Sequence, residues 1–300
     1  ETKMSATVST DFVFQPKVWK DHVSAYFDDK LLFGAIAMRD DSLVAQPGTT
    51  QNFPYFKQIG AVEEPLETDA LAVDALSDDS FSATVKEVGK AVGVKKKAFK
   101  VSAANTERII QEITSQMGRR HAEKIDDDLL TEFSTGGNYV QGFTATAAAD
   151  TLNVRTVLKA LVVGFGDHHE DAIAIQMHSK QLYDLMSDST SGFLKADAND
   201  PMYSVPGFSG RLFGMAIFVS DKIPANGSQI DSKDAYHAFI HKMDPYGILL
   251  KQDMEMESDY DLLNREWLFT SNQWYAVKSF HAKISALDYK TVRMTTTVSI

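Results

Sequence analysis

The chain contains no cysteine. Disulfides, thiolate metal sites and cysteine nucleophiles are therefore excluded, and the usage fits a protein made in a reducing compartment. Nowhere is there a run of about 18 apolar residues, the length that a membrane-spanning helix requires. Glycine is too sparse for a phosphate cradle: neither the dinucleotide nor the P-loop spacing occurs, and no Gly-x-Ser-x-Gly elbow is present. Positive charge is in deficit, with 30 Lys and Arg against 41 Asp and Glu, a net charge of −11. The chain as a whole will not seek nucleic acid. An acidic wall can still enclose DNA, because like charge keeps the polymer from sticking to it. The opening residues Glu1-Thr2-Lys3-Met4 do not resemble a signal peptide, and a start at Glu1 fits processing or trimming.

What is present is an ordinary globular composition. Of 300 residues, 44% are apolar and 24% charged, enough for a sizeable core in one large domain or two modest ones. Residues 17–37 place Trp19, Val23, Tyr26, Phe27 and Leu31 on one side at helical spacing, after Pro16. From Pro47-Gly48 the pattern changes to a long two-stranded excursion over 47–100. Its first limb is 49–59 and its return limb 81–88, with little of its own to pack around. An isolated hairpin is marginal in water and needs a surface to lie on. The tip, residues 61–80, carries Glu63, Glu64, Glu67 and further Asp residues with no Lys or Arg. Residues 86–100 carry Lys86, Lys90, Lys95, Lys96, Lys97 and Lys100 against Glu87. Two solvated charged surfaces would explain this. So would an acidic tip of one copy meeting the basic stem of the next, since opposite patches steer encounter and fix register.

A second helix is expected over 105–133, with Ile109, Ile113, Met117, Ala122, Ile125, Leu129 and Phe133 in a stripe and Asn105 as its cap. At 1.5 Å per residue it spans roughly 40 Å, the length of a strut. A third helix is expected over 151–163, closed by Gly164. A strand over 172–177 and a short helix over 179–186 follow, then a loop-rich stretch over 188–210. Residues 212–219 read as a strand pair or one bent strand. Further strands are expected at 236–241, 246–257, 262–270, 274–280 and 288–299. Helix, hairpin, long helix, mixed α/β, then mostly β is an α+β order, not a run of βαβ units.

Several phrases in this order resemble the major capsid proteins of tailed bacteriophages, whose fold is shared with encapsulin shells and the floor of herpesvirus capsids. They are Pro16-Lys17-Val18-Trp19 with its helix, Leu43-Val44-Ala45-Gln46-Pro47-Gly48-Thr49-Thr50 running on to Phe53-Pro54, and the helix over 105–133. The phrase from Gly210-Arg211-Leu212 to Lys222-Ile223-Pro224 is the fourth, and Gly247-Ile248-Leu249-Leu250-Lys251-Gln252-Asp253 the fifth. The resemblance covers nearly the whole chain. It implies an N-terminal arm and helix (1–46), an extended loop (47–100) and a peripheral domain on a spine helix (101–150). An axial α/β domain (151–280) and a C-terminal strand returning to the peripheral domain (281–300) complete it.

The implied function is structural, not enzymatic: self-assembly into pentamers and hexamers that tile an icosahedral shell around double-stranded DNA, without cofactors. The implied partners are further copies, a portal, a scaffold or decoration proteins, and DNA bound without sequence specificity. No membrane is involved. The implied location is the virion, assembled in the host bacterial cytoplasm. An encapsulin-like nanocompartment shell is the alternative on the same fold. Because the family's loop lies over the neighbouring subunit, Phe53, Tyr55, Phe56, Ile59, Phe81 and Val85 are expected at intersubunit contacts. Lys95, Lys96, Lys97, Glu63, Glu64 and Glu67 are expected there as well. Buried aromatic anchors dominate interface energy.

Rival chemistry rests on two clusters. Asp167-His168-His169-Glu170-Asp171 has zinc-ligand residue types, but five adjacent residues in a turn do not converge on one ion. His237 and His241 share a face but lack the glutamate of a zinc hydrolase. A metal-dependent hydrolase is the reading these would support; a tail or baseplate protein is another structural one.

Overall fold

The computed structural model describes residues 33–44, 47–56, 73–101, 106–135, 138–188, 194–195, 200, 202, 205, 207–225, 227, 229–280 and 289–299. The expected helix over 17–37 lies largely outside them. Its last residues form a 3-10 turn at Phe33–Ile36, and strand β1 (Met38–Asp40) follows.

The architecture is α+β, with helices laid on two larger sheets and a separate hairpin. The hairpin is β2 (Thr50–Phe56) paired antiparallel with β3 (Asp78–Thr84). The next strand, β4 (Lys86–Lys95), leaves the hairpin and enters another sheet. The expected return limb over 81–88 is thus divided at Val85, whose side chain is buried. The single loop expected over 47–100 includes a sheet strand and a short helix, α1 (Lys96–Val101). Val88, Val92 and Val94 explain the change, since their alternation gives β4 an apolar face to bury.

The long helix is α2 (Thr106–Ser134), close to the expected span. Its buried seam runs Ile110, Thr114, Met117, His121, Ile125, Leu129 and Phe133. The two polar members each make one hydrogen bond, and His121 Nδ1 is left buried without one among the described residues. Thr114 Oγ1 donates to the Ile110 carbonyl at 2.8 Å, and His121 Nε2 lies 2.8 Å from Ser271 Oγ.

This helix lies on one face of a four-stranded sheet ordered β1-β11-β12-β4, where β11 is Tyr246–Asp261 and β12 is Glu266–Ser279. The expected strands at 262–270 and 274–280 are one strand. The chain reverses instead at residues 262–265, because Asp261 accepts from the Leu263 and Asn264 backbone N–H groups and from Asn264 Nδ2. Arg265 takes φ +52°. The apolar pair Leu262-Leu263 disguised this turn. On the helix side, Met254, Met256 and Phe269 pack against Ile110 and Met117. On the other side, Leu249 and Ala276 pack with Leu43, Ala83, Val85, Phe53 and Trp274 at the hairpin's root.

The seven-stranded sheet is ordered β5-β13-β10-β6-β9-β8-β7. Its strands are β5 (Val140–Thr144), β6 (Ala172–Met177), β7 (Leu194–Lys195), β8 (Phe208–Leu212), β9 (Met215–Val219), β10 (Ala235–Lys242) and β13 (Thr291–Thr297). The strand pair begins earlier than the 212–219 expected for it, with β8 and β9 spanning 208–219 and joined by Phe213-Gly214 with φ of 51° and 84°. Positive φ at both turn positions matches the twist of a two-residue hairpin.

Helix α3 (Val154–Phe165) and α4 (Ser179–Ser187) cover one face of this sheet. Asn153 and Thr156 form a capping box at the start of α3. The helix runs past Gly164, expected to end it, to Gly166 at φ 57°. Gly164 serves packing instead: a Cβ there would stand 2.2 Å from Val292 Cγ2.

Sheet membership departs from the expected division by residue number. β11 and β12, expected with the axial segment, sit in the four-stranded sheet beside α2. β13, expected to return to the peripheral part, is the second strand of the seven-stranded sheet. Pairing decides this: β13 runs parallel to β5 and antiparallel to β10, and that partner choice is long-range.

Candidate assembly interface

The hairpin is fastened at its root. Phe53 meets the Phe280 ring edge-on at 5.1 Å and faces Phe81 across the hairpin. Phe53 and Val85 both pack in the cluster with Leu249 and Ala276, so they are engaged within their own chain; Val85 is only 9% exposed. Both are expected at intersubunit contacts, and within this chain they fill a pocket of their own. Leu43, Ala83 and Trp274, which sequence reasoning had not assembled, make the local pocket they fill. Three residues further out, Phe56 is 65% exposed. Tyr55 lies between them on β2, opposite Asp79, and Phe81 is half-buried. Ile59, Glu63, Glu64 and Glu67 lie outside the described residues.

The lysines divide in the same way. Lys86 is bound to its own chain, 2.6 Å from Asp128. Burial pushes the Asp128 carboxyl up, but hydrogen bonds from Lys86, Tyr275 and Lys124 outweigh it and hold it below the usual carboxylate range. Lys95 lies 2.9 Å from Glu266 and donates to the Asn264 carbonyl at 3.2 Å. Lys96 stands 5.6 Å over the Tyr260 ring. Lys97 is exposed, with no ion pair among the described residues. Lys95 and Lys96 therefore also brace the turn end of the β11–β12 hairpin. Of the Asp residues in the acidic tip, Asp78 and Asp79 are at the start of β3.

Where the two sheets meet, a buried polar chain links them. Thr291 Oγ1 lies 3.0 Å from His241 Nδ1, and His241 Nε2 is 3.1 Å from Gln176 Oε1. Gln176 Nε2 donates to Tyr246 Oη at 3.0 Å, and Tyr246 Oη donates to the Phe33 carbonyl at 2.9 Å. The Phe33 N–H in turn donates to Asp126 Oδ1 at 2.9 Å. Burial drives His241 down to about 3, so it is neutral here. His237 is driven to about 4 by burial and then by Arg293. These two histidines are core hydrogen-bond partners; His237 Nδ1 lies 3.1 Å from Thr295 Oγ1.

The remaining polar clusters have structural employment. His168, His169 and Asp171 lie on an exposed 3-10 turn, with Asp171 Oδ2 3.7 Å from Lys242 and 3.9 Å from His168. Ser179, His178 and Asp221 contain the residue types of a nucleophilic triad in the wrong arrangement. Ser179 Oγ donates straight to the Asp221 carboxylate, and His178 Nδ1 accepts the Lys180 N–H at 3.2 Å as a helix cap. Ser179 Oγ also stands 3.4 Å from His178 Nδ1, but the lone pair there is already engaged by the Lys180 N–H, so it is not free to act as a base.

These elements, a free hairpin, a strut helix on a four-stranded sheet and a helix-covered seven-stranded sheet, make the fold of tailed-phage capsid proteins. The chain superposes on the capsid of Ralstonia phage GP4 with TM-score 0.68 at 12% identity, covering 100% of this chain and 96% of that one. On the Cyanophage Pam1 capsid the TM-score is 0.67 at 14% identity, covering 100% and 98%. A curated relative is the major capsid protein of Staphylococcus phage phiMR11, 23% identical over 260 residues, 87% of each chain. These relatives are structural capsid proteins, not enzymes. No protein-family model matches the chain.

Proposed function

We propose that this chain is a shell subunit that assembles into pentamers and hexamers and closes an icosahedral capsid around double-stranded DNA. The observation that carries the reading is the β2–β3 hairpin. It pairs with no other strand among the described residues, it is anchored at its root, and it leaves Phe56 in solvent. A two-stranded ribbon of this kind gains stability by lying on another surface, and a neighbouring copy supplies one. Tyr55, Phe56 and Phe81, with Ile59 and the acidic tip residues Glu63, Glu64 and Glu67, are the candidates for that contact.

The enclosed DNA would be held without sequence recognition. Three cations on and beside α2 are matched within the chain: Arg120 with Glu123 at 2.6 Å, Lys124 with Asp128 at 2.9 Å and Lys222 with Asp127 at 2.9 Å. Strong phosphate binding needs clustered, available cations. Portal, scaffold and decoration proteins are the further partners this reading calls for, with assembly in the host cytoplasm and the virion as destination. The test is light scattering followed by negative-stain electron microscopy of the expressed protein. Closed polyhedral shells, or pentamers and hexamers, are expected. A monomer that stays monomeric at every concentration and with its phage's scaffold present would overturn the proposal. Nucleic acid in shells recovered from infected cells distinguishes a genome container from a cargo compartment.

A further inference from the structure

The four-stranded sheet has two open margins of opposite charge. β1 covers β11 only at Gly247, Ile248 and Leu249, so from there to Asp261 the outer edge of β11 pairs with no strand among the described residues. β4 is bonded to β12 on one side, and its other edge is equally open over Lys86–Lys95. Met254 and Met256 turn inward to α2, which sends Asp253, Glu255, Glu257 and Asp259 to the opposite face in one row. Neighbours in that row stand about 6.8 Å apart, inside a Debye length of about 8 Å at physiological salt, so they repel one another. Glu255, Glu257 and Asp259 have no ion pair among the described residues. On the β4 margin and the adjoining α1, Lys90 and Lys97 are exposed and likewise have no ion pair among the described residues, and Lys96 has only the Tyr260 ring.

Charge on a sheet edge is a common defence against edge-to-edge aggregation. Here the signs do more than defend. Two β11 margins repel, and two β4 margins repel, so the symmetric contacts are disfavoured. A β11 margin facing a β4 margin is attractive. Rings require head-to-tail contacts between different patches, and this is the sole combination the charges favour.

We propose that the β11 margin of one subunit, through Glu255, Glu257 and Asp259, faces the β4–α1 margin of a second copy, through Lys90 and Lys97. The proposal rests on the shell reading and names a counter-surface for the lysines other than the acidic tip at Glu63, Glu64 and Glu67. It also implies that assembly weakens as salt rises, since these charges are exposed.

A charge exchange tests it. Variant one carries Glu255→Lys and Glu257→Lys; variant two carries Lys90→Glu and Lys97→Glu; variant three carries all four. Circular dichroism and thermal melting first establish that each monomer folds. Particle yield is then measured by sedimentation against the wild type. Variants one and two should each lose yield on the order of tenfold, and variant three should recover most of it, because both margins have exchanged sign together. Undiminished yield in variants one and two, or loss in all three with folded monomers, would overturn the pairing while leaving the shell reading intact. Rescue of variant two by Glu63→Lys, Glu64→Lys and Glu67→Lys, but not by the β11 changes, would assign the lysines to the tip instead. A wild-type protein that forms no assembly at all would overturn the shell reading itself.

Discussion

At the residue scale, the decisive feature is how completely the buried polar groups at the sheet junction satisfy one another. Gln176, His241, Tyr246 and Thr291 are all under 2% exposed, yet each has a partner. Such chains are costly to break, because the group left behind cannot return to water. Tyr246→Phe removes the hydroxyl that accepts from Gln176 and donates to the Phe33 carbonyl. It should lower unfolding free energy by about 1–3 kcal/mol in a denaturant titration. The histidines set a pH dependence. His241 and His237 stay neutral in the folded protein down to about 3 and about 4, whereas unfolded histidine protonates near its ordinary 6.5. The unfolded state therefore binds more protons below that value. Stability should be complete above pH 6.5 and fall as the solution is acidified toward those lower values. The slope from each histidine approaches about 1.4 kcal/mol per pH unit. Denaturation midpoints measured from pH 7.5 to pH 4.5 would show the fall, and His237→Asn should reduce it.

At the element scale, helices and strands follow from periodicity, while their partners follow from shape. α2 was legible because its apolar residues recur at helical spacing over eight turns. The residues at its centre were less so: His121 and Thr114 hold seam positions that hydrophobicity alone would not assign. α3 was legible too, but Gly164 was misread as a stop. A glycine inside a helix can mark close approach instead, and here the approach is to Val292 of β13. Gly164→Ala should destabilise by about 1–3 kcal/mol through overpacking. Val292→Ala in the same chain should recover part of that loss, which a double-mutant cycle would measure. The hairpin was visible as an excursion. Its end was not, because Lys86–Lys95 alternates weakly and only its pairing with β12 makes it a sheet strand.

At the scale of the whole molecule, the chain looks unfinished. Among the described residues the β2–β3 hairpin lies beside the four-stranded sheet without joining it, both margins of that sheet are unpaired, and Leu262 and Leu263 stand exposed at its far turn. A shell subunit has reason to leave such surfaces bare, since other copies cover them. Phe56→Ser should separate the two roles. The ring has little to lose in the free subunit, so melting should shift by no more than about 0.5 kcal/mol equivalent. Particle yield should nonetheless drop, because an aromatic anchor has been removed from the proposed intersubunit contact.

The sequence by itself determined the α+β class, the strut helix, the hairpin, most strands and the likeness to tailed-phage capsid proteins. Those are properties of local periodicity, turn chemistry and element order, all written within short windows of chain. Tertiary structure alone decided that Val85 and Phe53 face their own chain and that β11 and β12 form the sheet beneath α2 while β13 joins the other. It also joined Thr291, His241, Gln176, Tyr246 and Phe33 in one buried chain, across separations of up to 213 residues. Partner choice over such distances depends on which surfaces fit and which polar groups are left to satisfy, and neither quantity exists until the chain has folded.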